Sequence, residues 1–367
     1  MSASNYVDGD IEYRVATRED EPRIRSLLAR IETGGHVRLS FRREPDAFAS
    51  LGALAHGWIL ARETASGADV GLCERVVRRA FVNGARQDLP YLAGLRVVPD
   101  FRNRLHVLRG GFEAVRRLLA KPDEPAFAFT SIMSDNAIAR RVLGANLRGM
   151  PRYEPIGDYS TFAMSSRRGE VAAETATAAD LPGIAELLLR AHAHLQFASA
   201  WDPPAIQACI SGGTLRANDF LVIRREGRIS ACAALWDPSS QRQIVVAGYS
   251  RVVGLARPLL NVIARLGRRP LLPAPGAPWR AAYFSHVAVD SERDLRDLLS
   301  TARTEARRRG IDTVLAGFGS LTPNATTLRM LAPQREFRSR LYLVRWPQDP
   351  SPTLDTALPA SPELAHL

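Results

Sequence analysis

The apolar positions of this chain repeat at long range. Ile24, Leu27 and Leu28 recur as Ile184, Leu187 and Leu188, each set at the i, i+3, i+4 spacing that lines one helix face. The shared pattern is wider than the stripe. Ala16-Thr17-x-x-Asp20-x-Pro22 returns as Ala176-Thr177-x-x-Asp180-x-Pro182, and with Arg30 and Arg190 the match reaches 8 of 15 positions at a constant offset of 160 residues. That period is too long for a solenoid, so it marks two copies of one domain. In each copy a short strand ends at Ala-Thr, Asp opens a helix, and Pro falls in the first turn, where its missing N–H is not needed. The expected division is a domain over 1–166, a second over 167–348, and a Pro/Ser-rich, disordered tail over 349–367.

Period and turn residues predict the same element order in both copies. The first reads as a strand over 12–16, helices over 20–32 and 44–55, strands over 58–62, 69–82 and 89–97, a helix over 105–119, a strand over 126–133, a helix over 136–143, and a last pair of strands over 152–164. Asn83-Gly84 marks a tight hairpin. The second reads as a strand over 171–176, a helix over 180–194, a hairpin over 220–225 and 229–236, a strand over 283–289, a helix over 294–309, a strand over 313–318, a helix over 324–331 and a closing strand over 340–346. It also carries an insertion: a helix over 251–266, then a connection holding Pro270, Pro273, Pro275 and Pro278. Ordered loops on a rigid scaffold carry specificity, so the insertion is expected to border an acceptor pocket, with Trp279 or Tyr283 as its apolar wall.

Composition narrows the function classes. No apolar run approaches the ~18 residues needed to cross a bilayer. The formal charge is +11, and 49 residues are basic, yet Lys121 is the only lysine. The arginines are spread along the whole chain, which argues against a nucleic-acid footprint. Cys73, Cys209 and Cys232 have neither metal spacing nor an even count, which fits a reducing cytoplasm. His192 and His194 lie two apart on a helix and face different sides. The expected partners exclude nucleic acid and membrane.

The element order and one stretch, Tyr91-Leu-Ala-Gly-Leu-Arg-Val-Val-Pro-Asp-Phe-Arg102, resemble the GNAT acyltransferase superfamily, here in tandem. The resemblance continues at Asn136-Ala137-x-Ala139-Arg140, with counterparts at Tyr283–Val289 and Asn324. It implies an α/β (α+β) fold of two GNAT-like domains, each a mixed, mostly antiparallel sheet flanked by helices. It also implies an acyl-CoA, acetyl-CoA in the first instance, lying between the fourth and fifth strands. Pantetheine would pair with the fourth strand, at Leu95, Arg96 and Val97. The diphosphate would lie on the loop and helix start, at Arg102, Asn103, Arg104, Leu105, His106 and Val107, with Asn136 beyond the fifth strand.

The chain departs from that family's pattern. Leu105 and Val107 stand where the loop usually has glycine, and the second copy reads Asp290-Ser291-Glu292-Arg293-Asp294, whose acids repel a diphosphate. Cofactor binding is therefore expected in the first copy, with the second degenerate and shaping the substrate site. The family's strand carboxylate falls on Gly94 and His286, and its helix tyrosine on Leu143 and Leu331. His286 and Glu74 are the candidate catalytic groups, each weighed against a purely structural role; Tyr153 reads as a packed core residue. The implied activity is acyl transfer to an amine of a small molecule or peptide. The alternative is a non-catalytic protein that senses acyl-CoA or holds a partner. The copies are expected to pack as a pseudo-dimer within one chain, itself a monomer or a homodimer.

Overall fold

A computed structural model describes residues 5–32, 36–49, 51–267, 271–331 and 335–367. The first copy runs β1 (Asn5–Asp8), β2 (Ile11–Val15), α1 (Glu21–Arg30), β3 (Val37–Arg42), β4 (Ala55–Glu63), β5 (Asp69–Val82), β6 (Ala85–Val97), α2 (Leu105–Leu118), β7 (Ala128–Met133), α3 (Ala137–Leu143) and β8 (Arg152–Ser165). The second runs β9 (Glu174–Thr175), α4 (Leu181–His192), α5 (Pro203–Ser211), β10 (Phe220–Arg225), β11 (Arg228–Trp236), β12 (Gln243–Tyr249), α6 (Arg251–Leu266), β13 (Ala281–Ala288), α7 (Glu292–Arg308), β14 (Thr313–Gly319), α8 (Pro323–Met330) and β15 (Arg335–Arg345).

The repeated helix start is built the same way twice. The backbone N–H groups of Thr17 and Thr177 each donate to the aspartate three residues on, at 2.9 Å. Each aspartate is also held by an arginine from a strand: Arg14 of β2 holds Asp20, and Arg224 of β10 holds Asp180. The shared Asp thus caps a helix and fastens it to the sheet. Ile24, Leu27 and Leu28, like Ile184, Leu187 and Leu188, are buried.

Thirteen strands form one continuous sheet, in the order β1-β2-β4-β5-β6-β7-β15-β8-β14-β13-β11-β10-β9. The centre of that order is an exchange. The last strand of the second copy, β15, lies against β7 of the first, antiparallel from Ser339–Met133 to Val344–Ala128. The last strand of the first copy, β8, lies against β14 of the second. The two exchanged strands pair with each other over eleven registers. A second, two-stranded sheet joins β3 to β12, again one strand from each copy.

Several expectations are corrected. Over 44–55 the described residues form turns rather than a helix, tied by Trp58 Nε1 donating to the Ala47 carbonyl and by Asp46 accepting from the Phe48 N–H. The expected pair of strands over 152–164 is a single 14-residue strand, because it must span both neighbours in the exchange. The strand expected over 171–176 is paired only at Glu174–Thr175. The tail is not disordered. The Asp355 N–H donates to Asn83, the Gln196 N–H donates to the Pro359 carbonyl, and the Ser361 N–H donates back to Gln196. Ser361, Ala365 and His366 are buried. Paired backbone and buried side chains override its Pro/Ser composition.

Candidate functional site: two wedges and a shared junction

In each copy the fourth and fifth strands of the repeat run parallel and then part. In the first copy, β6 and β7 share one register, Tyr91–Phe129, and the Thr130 hydroxyl donates to the Leu92 carbonyl just beyond it. From Ala93 to Val97 the β6 residues are half-buried. In the second copy, β13 and β14 pair from Ala281–Thr313 to Phe284–Ala316 and then diverge.

Both fourth strands carry a bulge at the point of divergence. The β5–β6 register slips between Leu72 and Glu74, and the β11–β13 register between Cys232 and Ala234. The bulged residue has left-handed backbone in both: φ is +60° at Gly94 and +51° at His286. Glycine adopts that conformation freely; histidine does so at a cost. Space explains the glycine further. A Cβ at position 94 would sit 3.4 Å from the Glu74 Cβ and 3.4 Å from the Trp58 ring.

The second wedge shows what its bulge can bind. The His286 backbone N–H donates to the Glu363 carboxylate at 3.0 Å. The tail reaches this point along β14. The Gly319 N–H donates to the Ser361 hydroxyl at 3.0 Å, and the Tyr159 hydroxyl donates to the Pro362 carbonyl at 2.9 Å. A Cβ on Gly319 would come within 2.1 Å of the Ala360 oxygen, so only glycine lets the tail lie there. Outside this plug a cleft of about 680 Å³ remains, lined by Val287 to Glu292, Thr322, Asn324 and Glu363. Burial pushes the Glu363 carboxyl up to about 7 despite the N–H groups it accepts from.

At the first wedge the tail packs Ala360 and Leu367 into one cluster with Tyr91, Ala93 and Phe129, and the mouth is the start of α2. The Tyr13 hydroxyl donates to the Val107 carbonyl at 3.0 Å, which fixes the first turn of the helix over the sheet. The first N–H groups of any helix lack partners within it, and here they begin at Leu105 and His106. Arg102 Nε donates to the Val97 carbonyl at 3.1 Å. Arg104 lies over the Phe101 ring, 4.0 Å from its centroid, and faces Asp10 at 3.4 Å and Glu63 at 3.7 Å. His106 Nε2 is 3.1 Å from Asp10. Asn136 caps α3, accepting from the Ala139 N–H at 3.1 Å. Its counterpart by role is Thr322, which caps α8; Asn324 lies inside that helix.

Leu95 to Val107 thus gather along one edge and loop. Glu74 lies on β5, beside the bulge, and His286 belongs to the other wedge. Glu74 is buried, with Arg43 Nη2 at 2.7 Å and His56 Nε2 at 2.9 Å. Burial opposes its charge, but Arg43, His56 and Arg242 outweigh this and hold the carboxyl well below the usual range. His286 is fully buried. Trp201 stacks on it at 3.9 Å, and Phe220 and Trp236 lie 5.2 Å away. Burial, with neighbouring His192, holds its pKa well below the ordinary value, and its Nδ1 lies 2.9 Å from the Ser285 hydroxyl. In the insertion, Trp279 Nε1 donates to the Thr313 hydroxyl at 3.0 Å. Sequence reasoning missed Glu363 and took the tail as disordered; the only signal was the scattered apolar residues Leu358, Ala360, Leu364, Ala365 and Leu367 inside a Pro/Ser-rich segment.

No protein-family model matches the sequence, and comparison with curated protein sequences gives no match. Solved structures do match. Saccharomyces cerevisiae N-myristoyltransferase with bound myristoyl-CoA aligns with a TM-score of 0.62 at 12% identity, covering 98% of this chain and 91% of that one. The same enzyme with myristoyl-CoA and inhibitors aligns with a TM-score of 0.58 at 11% identity, covering 97% and 86%. A GCN5-related N-acetyltransferase from Anabaena variabilis aligns with a TM-score of 0.47 at 12% identity, covering 91% and 72%. At such identities the likeness is one of fold: over nearly its whole length the chain shares the fold of N-myristoyltransferase, in line with the two GNAT-like domains that the repeat and element order imply.

Proposed function

We propose that the protein is an acyl-CoA-dependent N-acyltransferase that binds its acyl-CoA in the first wedge and transfers the acyl group, acetyl in the first instance, to an amine of a small molecule or peptide. The observation that carries this reading is the contrast between the wedges: the first sets the half-buried edge of β6 beside a helix start flanked by Arg102 and Arg104, while in the second Glu363 takes the bulge amide and the cleft beyond it is lined by Asp290 and Glu292. Pantetheine would extend the sheet along Leu95, Arg96 and Val97. The diphosphate would meet the N–H groups of Leu105 and His106 and the guanidinium of Arg102.

In such a transfer the amine nitrogen attacks the thioester carbonyl carbon, the C–S bond breaks, coenzyme A leaves as its thiol, and the amine's proton passes to solvent or sulfur. The Gly94 N–H is the group for the developing oxyanion, since its counterpart at His286 already holds a carboxylate oxygen. Glu74 is ion-paired beside that bulge, so its role is to position Arg43 and His56 rather than to take the proton. His286, enclosed by aromatic rings, is assigned a structural role in the second copy. The insertion is the candidate wall of the acceptor pocket.

The same engagement of both candidate bases favours a second reading, in which the first wedge senses acyl-CoA without turnover. Thiol release from acetyl- to myristoyl-CoA, across a panel of amines and N-terminal peptides, distinguishes the two. Hydrogen exchange with and without coenzyme A should show protection over 94–107 and none over 286–292. Protection without thiol release would select the sensor. Protection confined to the second wedge would overturn both.

A further inference from the structure

The insertion in the second copy is built inside out. Helix α6 turns Arg257 and Asn261 toward the protein. Asn261 Nδ2 donates to the Leu272 carbonyl at 3.0 Å, Asn261 Oδ1 accepts from the Leu272 N–H at 2.8 Å, and Arg257 reaches the same carbonyl at 3.3 Å. Ala264 is the one buried residue of the helix. The outward face carries Val252, Leu255, Leu259, Val262, Ile263 and Leu266, between 52% and 86% exposed. Their spacing of three and four makes one continuous stripe, unlike the scattered single apolar residues of an ordinary surface.

Charge indicates what covers the stripe. The 52 residues from Pro238 to Val289 contain no Asp or Glu, although the chain has 38 acids in 367 residues. The same segment carries seven arginines, and Arg251 and Arg265 flank the stripe on exposed positions. At 16 residues the helix is about 24 Å long. No helix among the described residues is long and apolar enough to cross a membrane. A helix with an apolar face, cationic flanks and no acids instead suits the plane of a lipid surface. A second copy of this chain fits less well, because a two-fold contact through α6 would set like-charged arginines against each other.

We propose that α6 is a surface anchor that seats the protein on anionic lipid, with the Val252–Leu266 stripe in the acyl boundary and Arg251 and Arg265 at the headgroups. This departs from the sequence-based expectation of no membrane partner, because the exposed stripe on α6 is visible only in the structure. The full chain should float with vesicles in which about a third of the lipid is phosphatidylglycerol, and bind pure phosphatidylcholine about tenfold less. Leu255→Glu with Leu259→Glu should remove flotation while leaving the thermal transition unchanged, since both positions are exposed. Arg251→Gln with Arg265→Gln should weaken binding to the anionic vesicles alone. Equal binding to both vesicle types would overturn the electrostatic assignment. Absence of flotation, with a concentration-dependent dimer that Leu255→Glu abolishes, would overturn the proposal and make α6 a self-association face.

Discussion

Gly94 and His286 occupy the same bulge in the two copies, and their surroundings have moved in opposite directions. Around Gly94 the strand edge stays half-buried, the following loop carries Arg102 and Arg104, and the neighbouring carboxylate, Glu74, is tied to Arg43 and His56. Around His286 the chain's own tail supplies the partner, the following loop carries Asp290 and Glu292, and the imidazole is enclosed by Trp201, Phe220 and Trp236. A bulge amide aimed into a wedge needs an acceptor. One copy meets that need internally with Glu363; the proposed function assigns a ligand's carbonyl to the other. Duplication has thus let one bulge amide take an internal carboxylate while the other copy keeps a half-buried strand edge and a basic loop.

The comparison is broken most severely by separating the copies. β15 lies between β7 and β8, so residues 1–168 alone expose the β7 edge and strip β8 of both neighbours. Expressed alone, this fragment should aggregate or unfold without cooperativity; a soluble fragment with a sharp calorimetric transition would contradict the coupling of the halves.

The next effect is electrostatic and belongs to the filled wedge. Glu363 titrates near 7 in the folded chain against an ordinary 4.5, with burial as the main cause. The folded state therefore binds the proton more tightly than the unfolded state. Glu363's contribution is fully present below about pH 4.5 and is lost as pH rises through about 7, a span worth about 3 kcal/mol. His286 and His366 act with the opposite sign, because burial lowers both: their contribution is present above about 6.5 and lost as pH falls. Urea unfolding of Glu363→Gln against wild type, from pH 4.5 to 8, isolates the carboxylate. The variant should gain relative to wild type toward pH 8; a difference flat with pH would show that Glu363 is ionised throughout.

These two effects divide along what the sequence could disclose. Order and duplication were legible, because they rest on short-range signals: capping Thr-x-x-Asp at 17–20 and 177–180, the Asn83-Gly84 turn, and apolar stripes at helical spacing. The exchange of β8 and β15 was not legible, since both are strands of mixed polarity at the expected places and nothing local says which neighbour each takes. The plug at Glu363 was hidden for a related reason. A carboxylate in a Pro/Ser-rich tail looks solvated until Gly319, Tyr159 and Gln196 are seen to receive that tail. Arg104 was legible as a cation but not as one already engaged by Asp10, Glu63 and the Phe101 ring.

That last point adjusts the expected cost of removing the loop cations. Arg102→Ala with Arg104→Ala should weaken coenzyme A binding by about 2 kcal/mol, most of it from Arg102, because Asp10 and Glu63 already offset Arg104. Calorimetric titration of the double and single variants tests this. Replacing Glu292 and Asp290 of the second loop with Gln and Asn should leave affinity unchanged. If those changes strengthened binding instead, coenzyme A would be sampling the second wedge.

The smallest expected effect separates capping from binding at Asn136. Its side chain accepts the Ala139 N–H, as Thr322 accepts the Ala325 N–H at the equivalent helix start. Asn136→Ala should therefore cost about 1 kcal/mol of stability in urea unfolding, and Thr322→Ala about the same. Asn136→Asp keeps an acceptor of the same shape and adds a negative charge at a helix N-terminus, which the dipole favours, so stability should hold. Coenzyme A affinity then decides the role. If Asn136 only caps α3, Asp leaves affinity as it was. If the amide touches the cofactor, Asp at 136 loses a donor and sets a charge against the phosphates, and affinity falls while stability does not. The parallel change Thr322→Asp should preserve stability and leave coenzyme A affinity untouched, because Thr322 lines the second cleft, whose bulge amide Glu363 already takes and whose loop carries Asp290 and Glu292.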